Sequence, residues 1–269
     1  MKRRRKGMSR FCALYSGSSG NSSYLKGGST GLLIDAGVSC KAILAALQER
    51  QIASEEIQGI LITHEHIDHI RGLKVLTKKL KVPIYSSGVV LDYLTQRDLI
   101  EKNTCLVPLE AETQIGELLI HTFSTPHDSL DSVGFRIQLP DGRTVGYATD
   151  LGHVTEEVDR QLTGCDLVML EANYDTSMLE NGRYPYYLKR RIKAPNGHLS
   201  NDDCAAQTVK LVRNGTTRLV LGHLSKENNY PGNAFQAVYS ELSMAGMQSH
   251  KDFILDVAKR DCPSDIIVF

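Results

Sequence analysis

The chain has 269 residues, 41% of them hydrophobic, and a formal net charge of zero. That length suits one large α/β unit over residues 1–269 with a sizeable core, and the balanced charge creates no global field favouring nucleic acid or a membrane surface. No segment approaches the roughly 18 apolar residues of a membrane span, and six scattered cysteines without CxxC spacing read as reduced thiols of a cytoplasmic protein.

In chain order, the first feature is MKRRRK, a local excess of positive charge. It reads as a flexible basic arm over residues 1–10, either frayed and solvated or reaching for nucleic acid or a membrane surface. The apolar FCALY behind it is too short for a signal peptide. YSGSSGNSSY follows, a small-residue loop between apolar segments. It is either a plain turn or a nest of backbone N–H groups for an anion, with Ser18 and Asn21 as candidate substrate contacts.

GLLIDAG reads as a strand and CKAILAALQER as a helix. GILITHEH is a strand, RGLKVLTKKL a basic amphipathic helix, VPIYSS a short strand and VVLDYLTQRDLIEKN a helix. GELLIHTFST is extended, and SVGFRIQLPDGRTVGYATD is a hairpin turning at Pro140, Asp141 and Gly142. DLVMLEANYD is a strand. SNDDCAAQTVKLVRNG is a helix with a capping box of Ser200 and Asp203 and a stop at Asn214 and Gly215. TRLVLGH is a buried strand, and NAFQAVYSELSMAG is the last helix. The alternation favours an α/β protein whose sheets are covered by helices.

Five apolar segments end in His or Asp: Asp35 after LLI, His64 and His66 after LIT, His127 after FSTP, Asp150 after VGYAT, and His223 after LVLG. Strand ends along one sheet edge can assemble a site from distant sequence. In HEHIDH, an extended backbone turns His64 and His66 to the same side, while Asp68 and His69 follow a turn and can face a second cation. Imidazole and carboxylate together suit Zn²⁺, Mn²⁺ or Fe²⁺. Glu65 should point away from both histidines and is read as a non-ligand.

THEHIDH resembles the HxHxDH signature of the metallo-β-lactamase fold hydrolases, and Asp35, His127, Asp150 and His223 fall in motifs similar to the others of that superfamily, in the same order. SGSSGNSSYL, ATDLG, GHLSN and HLSKENN are similar to the YycJ family, also called WalJ or VicX. The resemblance covers roughly residues 11–240. It implies an αββα sandwich of the metallo-β-lactamase fold with two divalent metal ions, Zn or Mn. His64, His66 and His127 would hold one, Asp68, His69 and His223 the other, and Asp150 would bridge them. Asp35 would orient the histidine loop. Asp68 also counts among the catalytic residues.

An aspartate at position 150, rather than a cysteine, points away from antibiotic hydrolysis and towards phosphodiesterases, nucleases and thioesterases. GHLS occurs twice, and His223, ending an apolar strand, is the better ligand. His198 opens a capped helix about one helix upstream, a position that resembles the histidine RNase Z-type enzymes use near the leaving group, which implies a general acid or phosphate contact oriented by Glu171; otherwise it merely fixes its loop. Lys226, Asn228 and Asn229 follow His223 as further candidate substrate contacts. YPYYLKRRIKAPNGH interleaves Tyr184, Tyr186 and Tyr187 with Lys189, Arg190, Arg191 and Lys193, either a single-strand groove or a solvated basic helix face. Only 72 residues separate Asp150 from His223, too few for the extra domain of β-CASP nucleases. His121 and His153 are possible rivals to these ligand assignments.

The implied activity is a dimetal phosphodiesterase, a 5′-to-3′ DNA exonuclease in DNA processing or repair, acting on the 5′ end of DNA including single strands. The alternatives are a ribonuclease, a cyclic-nucleotide phosphodiesterase, a thioesterase, or a regulatory protein tied to two-component signalling. The sequence sets no oligomeric state.

Overall fold

The computed structural model describes residues 8–269. The run MKRRRK lies outside the described residues, and Arg10, expected in the basic arm, already opens the first strand. The first half runs β1 (Arg10–Tyr15), β2 (Ser22–Gly27), β3 (Thr30–Ile34), α1 (Cys40–Glu49), β4 (Ile57–Leu61), α2 (Ile67–Ile70), α3 (Leu73–Leu80), β5 (Ile84–Ser86), α4 (Gly88–Gln96) and β6 (Leu106–Pro108). The second runs β7 (Glu112–Ile115), β8 (Leu118–Ser124), β9 (Val133–Gln138), β10 (Thr144–Ala148), α5 (Glu156–Leu162), β11 (Leu167–Glu171), α6 (Thr176–Asn181), α7 (Tyr186–Ile192), α8 (Asn201–Arg213), β12 (Arg218–Gly222), α9 (Pro231–Met244), β13 (Ile254–Val257) and β14 (Ile267–Val268).

One sheet has the order β14-β1-β2-β3-β4-β5-β6 and the other β13-β12-β11-β10-β9-β8-β7. Each begins as an antiparallel meander and continues as parallel strands, from β3 to β6 in the first and from β10 to β13 in the second. Alternation of side chains explains why the strands read as unbroken apolar runs. In β1, Phe11 and Ala13 enter the core between the sheets, while Cys12 and Leu14 pack under α1, α3 and α4. In β11, Leu167 and Met169 enter the same central core, while Val168 and Leu170 face α5, α8 and α9. A strand covered on both faces needs apolar residues at every position. The result is the expected αββα layering.

Local signals behave largely as read. Ser200 caps α8, its Oγ accepting from Asp203 N at 3.0 Å and donating to the Asp203 carboxylate at 2.7 Å. Asn214 ends that helix, and Gly215 takes φ +101°. The hairpin turns where expected, with Gly142 N donating to Leu139 O at 3.0 Å. One boundary differs. The helix read through Asn103 stops at Gln96, because Asp98 turns left-handed (φ 53°) and Leu99 N closes onto Leu94 O. All six cysteines are free. Among the described residues, no helix is long and apolar enough to cross a membrane.

Candidate metal centre

The polar residues gather beyond the carboxyl ends of the inner strands of both sheets, where open α/β sheets offer a crevice. Asp35 follows β3, the 62–66 loop follows β4, Asp150 follows β10, Glu171 ends β11 and His223 follows β12. Asp35, Asp150 and His223 all adopt left-handed backbone angles, with φ of 63°, 56° and 55°. Such angles cost side-chain-bearing residues energy and concentrate where surroundings over-determine a functional geometry.

Two loops clamp α2 from below. Asn21 N donates to Asp68 O at 2.8 Å, Ala36 N donates to His69 O at 2.7 Å, and Gly37 N donates to Asn21 O at 2.7 Å. A Cβ on Gly37 would lie 1.6 Å from Asp68 O, so only glycine permits this approach.

The side chains form overlapping groups. His64, His66 and His127 offer ligand atoms within 4.8 Å of one another, as do Asp68, His69 and His223, and as do His64, His69 and Asp150. Asp150 lies between them: Oδ2 is 3.1 Å from His69 Nε2, and Oδ1 is 3.5 Å from both His127 Nε2 and His223 Nδ1. Asp68 Oδ2 is 3.5 Å from His223 Nε2 and 3.7 Å from His69 Nε2.

The outer ring nitrogens are held by acceptors. Asp35 Oδ2 accepts from His69 Nδ1 at 2.8 Å, and Gly197 O accepts from His127 Nδ1 at 2.9 Å. Glu171 is fully buried. Its Oε1 accepts from Nδ1 of both His198 and His223 at 2.8 Å, and its Oε2 accepts from Leu151 N at 2.6 Å and Leu199 N at 3.3 Å. These bonds point the remaining ring nitrogens inward.

Charge and orphaned atoms test whether a cation fits. Burial, reinforced by His69, lowers the His64 pKa well below its ordinary value. Burial also lowers that of His127. Burial opposes the charged form of His69, yet Asp150 and Asp35 raise its pKa well above the usual range. His223 is likewise pushed up to about 10 against burial by Asp150, Asp68 and Glu171. The carboxyl of Asp150 is held well below its ordinary value by His223, His69 and His64, although burial opposes this. Nε2 of His64, Oδ2 of Asp150 and Nε2 of His223 are buried with no hydrogen-bond partner. Nε2 of His127 sits 3.3 Å from His66 Nδ1. Carboxylate charge strong enough to raise His69 and His223 against burial, beside the unpartnered ring nitrogen of His64, is what divalent cations would neutralise in this buried place. Asp150, Glu171, His198 and His223 form a further ligand-like group, but there the two Nδ1 atoms are already engaged by Glu171.

The fold agrees with that of known proteins. Residues 30–224 match the family model of the β-lactamase superfamily domain. Exodeoxyribonuclease WalJ of Streptococcus pneumoniae is 34% identical over 250 residues, 91% of this chain and 92% of that protein. Exodeoxyribonuclease YycJ of Bacillus anthracis is 31% identical over 239 residues, 88% of this chain and 90% of that protein. The chain belongs to the WalJ/YycJ family of the metallo-β-lactamase superfamily. The solved metallo-β-lactamase fold protein YhfI of Bacillus subtilis superposes with TM-score 0.70 at 16% identity, over 96% of this chain and 99% of that one. This superfamily fold implies divalent-metal binding.

Several expected substrate contacts need correction for this WalJ/YycJ family chain. Asn21 is 1% exposed, and its amide is spent on Gly17, on Asp68 O and on His69 Nε2 at 3.1 Å. It positions the α2 loop. Asn228 and Asn229 are also buried: Asn228 bonds to Ser225, and Asn229 joins Ala172, Asn173 and Asn201. These asparagines brace loops because turns next to a buried site leave backbone groups that need partners. Ser18 and Lys226 are exposed.

His121 instead contacts Glu112 and Gln138, and His153 contacts Pro195 O. Neither joins a ligand group, and Glu65 is turned to Leu130 N at 2.9 Å. Reading the sequence missed Thr63, whose Oγ1 lies within 3.2 Å of Asp35, His64 and His69. It also missed Ser16, whose Oγ accepts from His223 N at 2.8 Å. The only signal for Thr63 was its place between strand and histidines.

Proposed function

We propose that this chain is a metal-dependent exodeoxyribonuclease that digests DNA from the 5′ end, single strands included, in cytoplasmic DNA processing or repair. What supports this reading is that Asp150 lies against His127 of one donor group and against His69 and His223 of the other, on a chain whose relatives WalJ and YycJ are named exodeoxyribonucleases over about nine-tenths of their lengths.

In this reading His64, His66, His127 and Asp150 would hold one divalent cation, and Asp68, His69, His223 and Asp150 a second, with Zn²⁺ and Mn²⁺ both suited to the donors. Such a pair supplies Lewis-acid polarisation of phosphoryl oxygens and a water acidic enough to be nucleophilic near neutral pH. The chain's own residues do the rest. Asp35 and Thr63 keep the histidine loop in register. Glu171 holds a proton on Nδ1 of His198, so Nε2 is the atom left to carry a proton to the leaving oxygen. Ser18 and Lys226, both exposed, are the residues that would meet phosphates outside the centre.

The test is hydrolysis of 5′-phosphorylated and 5′-hydroxyl oligodeoxynucleotides with Mn²⁺ or Zn²⁺, beside matched RNA and a thioester. Preferred release of mononucleotides from the 5′ end of DNA is expected. Turnover confined to RNA or the thioester would overturn the reading.

A further inference from the structure

Helix α7 carries two tyrosines that its own packing does not use. The helix seats on the protein through Leu188 and Ile192, four residues apart, which meet Tyr174 and Leu179. Tyr186 and Tyr187 remain 76% and 74% exposed. Together they present ring surface that the described residues leave uncovered.

The outward face is ordered. Tyr186, Lys189, Arg190 and Lys193 fall at helical spacing and, with Glu180, line one open cleft. Arg190 sits over the Tyr186 ring, 5.9 Å from its centroid. Lys193 pairs with Glu180 at 2.7 Å, and Lys189 Nζ donates to Glu180 O. Arg190 has no carboxylate partner among the described residues. The last turn reaches the candidate metal centre: Arg191 grips both oxygens of Asp128, at 2.5 and 3.0 Å, and Asp128 Oδ1 is 3.5 Å from His127 Nε2. From Tyr186 to Arg191 the helix rises about 7.5 Å, roughly two stacked nucleotides at about 3.4 Å each.

We propose that Tyr186 and Arg190 on the cleft face, with exposed Tyr187 beside them, form a stacking platform that holds single-stranded nucleic acid as it leads into the metal centre. The tyrosine rings accept bases of any sequence, Lys189 and Arg190, which have no carboxylate partner among the described residues, meet the backbone, and Arg191, held by Asp128, marks the boundary with the reacting phosphate. Continuity with the centre favours a nucleic acid over a lipid surface or a second copy of the chain, since either of those would occupy α7 without entering it. The proposal deepens the nuclease reading and rests on it for the direction of the strand.

The test compares Tyr186→Ala/Tyr187→Ala and Tyr186→Phe/Tyr187→Phe with the wild type on a long single strand and on a small aryl phosphodiester. A stacked base contributes about 5- to 150-fold to binding. The ratio of kcat/KM on the strand to that on the diester should fall at least about tenfold in the alanine variant, through KM, and return in the phenylalanine variant. An unchanged ratio overturns the platform, as does tyrosine-dependent binding to anionic vesicles or a tyrosine-dependent dimer with unaltered strand affinity. If the wild type hydrolyses no nucleic acid, the nuclease reading fails by itself. Fluorescence anisotropy of a labelled single strand on the same variants still decides whether the platform binds.

Discussion

Glu171 Oε1 stands 2.8 Å from His223 Nδ1, and the same oxygen stands 2.8 Å from His198 Nδ1. One buried carboxylate therefore orients a candidate ligand and a candidate proton donor together. Burial opposes its charge, yet His198 and His223 hold its pKa below the ordinary value. The two histidines should separate on mutation.

His198→Ala is expected to keep wild-type metal content and lose most turnover, with kcat falling about 10²–10⁴-fold. Metal analysis beside steady-state kinetics checks this, and full activity would end the acid role. Glu171→Gln should behave differently. Its amide nitrogen must face either the two Nδ1–H donors or the two backbone N–H donors, so both histidines loosen. Metal affinity should then fall about 10–100-fold along with turnover. Wild-type affinity in a titration would contradict the shared-anchor account.

Thr63 joins Asp35 to both His64 and His69 in a fully buried network. Thr63→Val keeps the shape and removes the hydroxyl, which should cost about 1–3 kcal/mol of stability. Thr63→Ser should recover most of it. Chemical denaturation of the three proteins measures the difference, and equal midpoints would show the hydroxyl to be idle.

Metal removal should destabilise the chain. Asp150 and Asp68 lie beyond the strand ends beside Glu171, the last residue of β11, and cations bound there stabilise by mass action, about 2.7 kcal/mol at a hundred times Kd. Chelator should lower Tm, and added Mn²⁺ or Zn²⁺ should raise it with concentration. Asp150→Ala should abolish that dependence. A metal-independent Tm in the wild type would contradict the account.

Away from the centre, Glu56 accepts from Lys26 and, at 3.0 Å, from Tyr24 OH. Burial opposes its charge, but these partners hold its pKa below the ordinary carboxylate value. A depressed folded pKa gives stability that is present above the unfolded value, about 4.3, and is lost as pH falls through the folded one. The stability gap between wild type and Glu56→Gln should therefore be full near neutrality and close in acid. A gap that widens on acidification would reverse the sign.

Much of the centre was legible because strands covered on both faces are apolar throughout, so a His or Asp ending one stands out. The supporting residues were not. Ser16 reaches His223 across 207 residues of sequence with a single hydroxyl, and nothing local distinguishes it from any loop serine. Asn21, Asn228 and Asn229 sit next to the site in sequence, but adjacency does not say whether an amide faces substrate or the protein's own backbone. The basic stretch at 184–193 was readable as cationic and aromatic. Only its packing through Leu188 and Ile192 reveals which face is left outward.

Seven side chains, His64, His66, His127, Asp150, Asp68, His69 and His223, would hold the two cations of the proposed centre. Anomalous diffraction from crystals soaked in Mn²⁺ tests it most directly. Two peaks are expected, one among His64, His66, His127 and Asp150, the other among Asp68, His69, His223 and Asp150. No peak there, or a single peak among Glu171, His198 and His223, would contradict it.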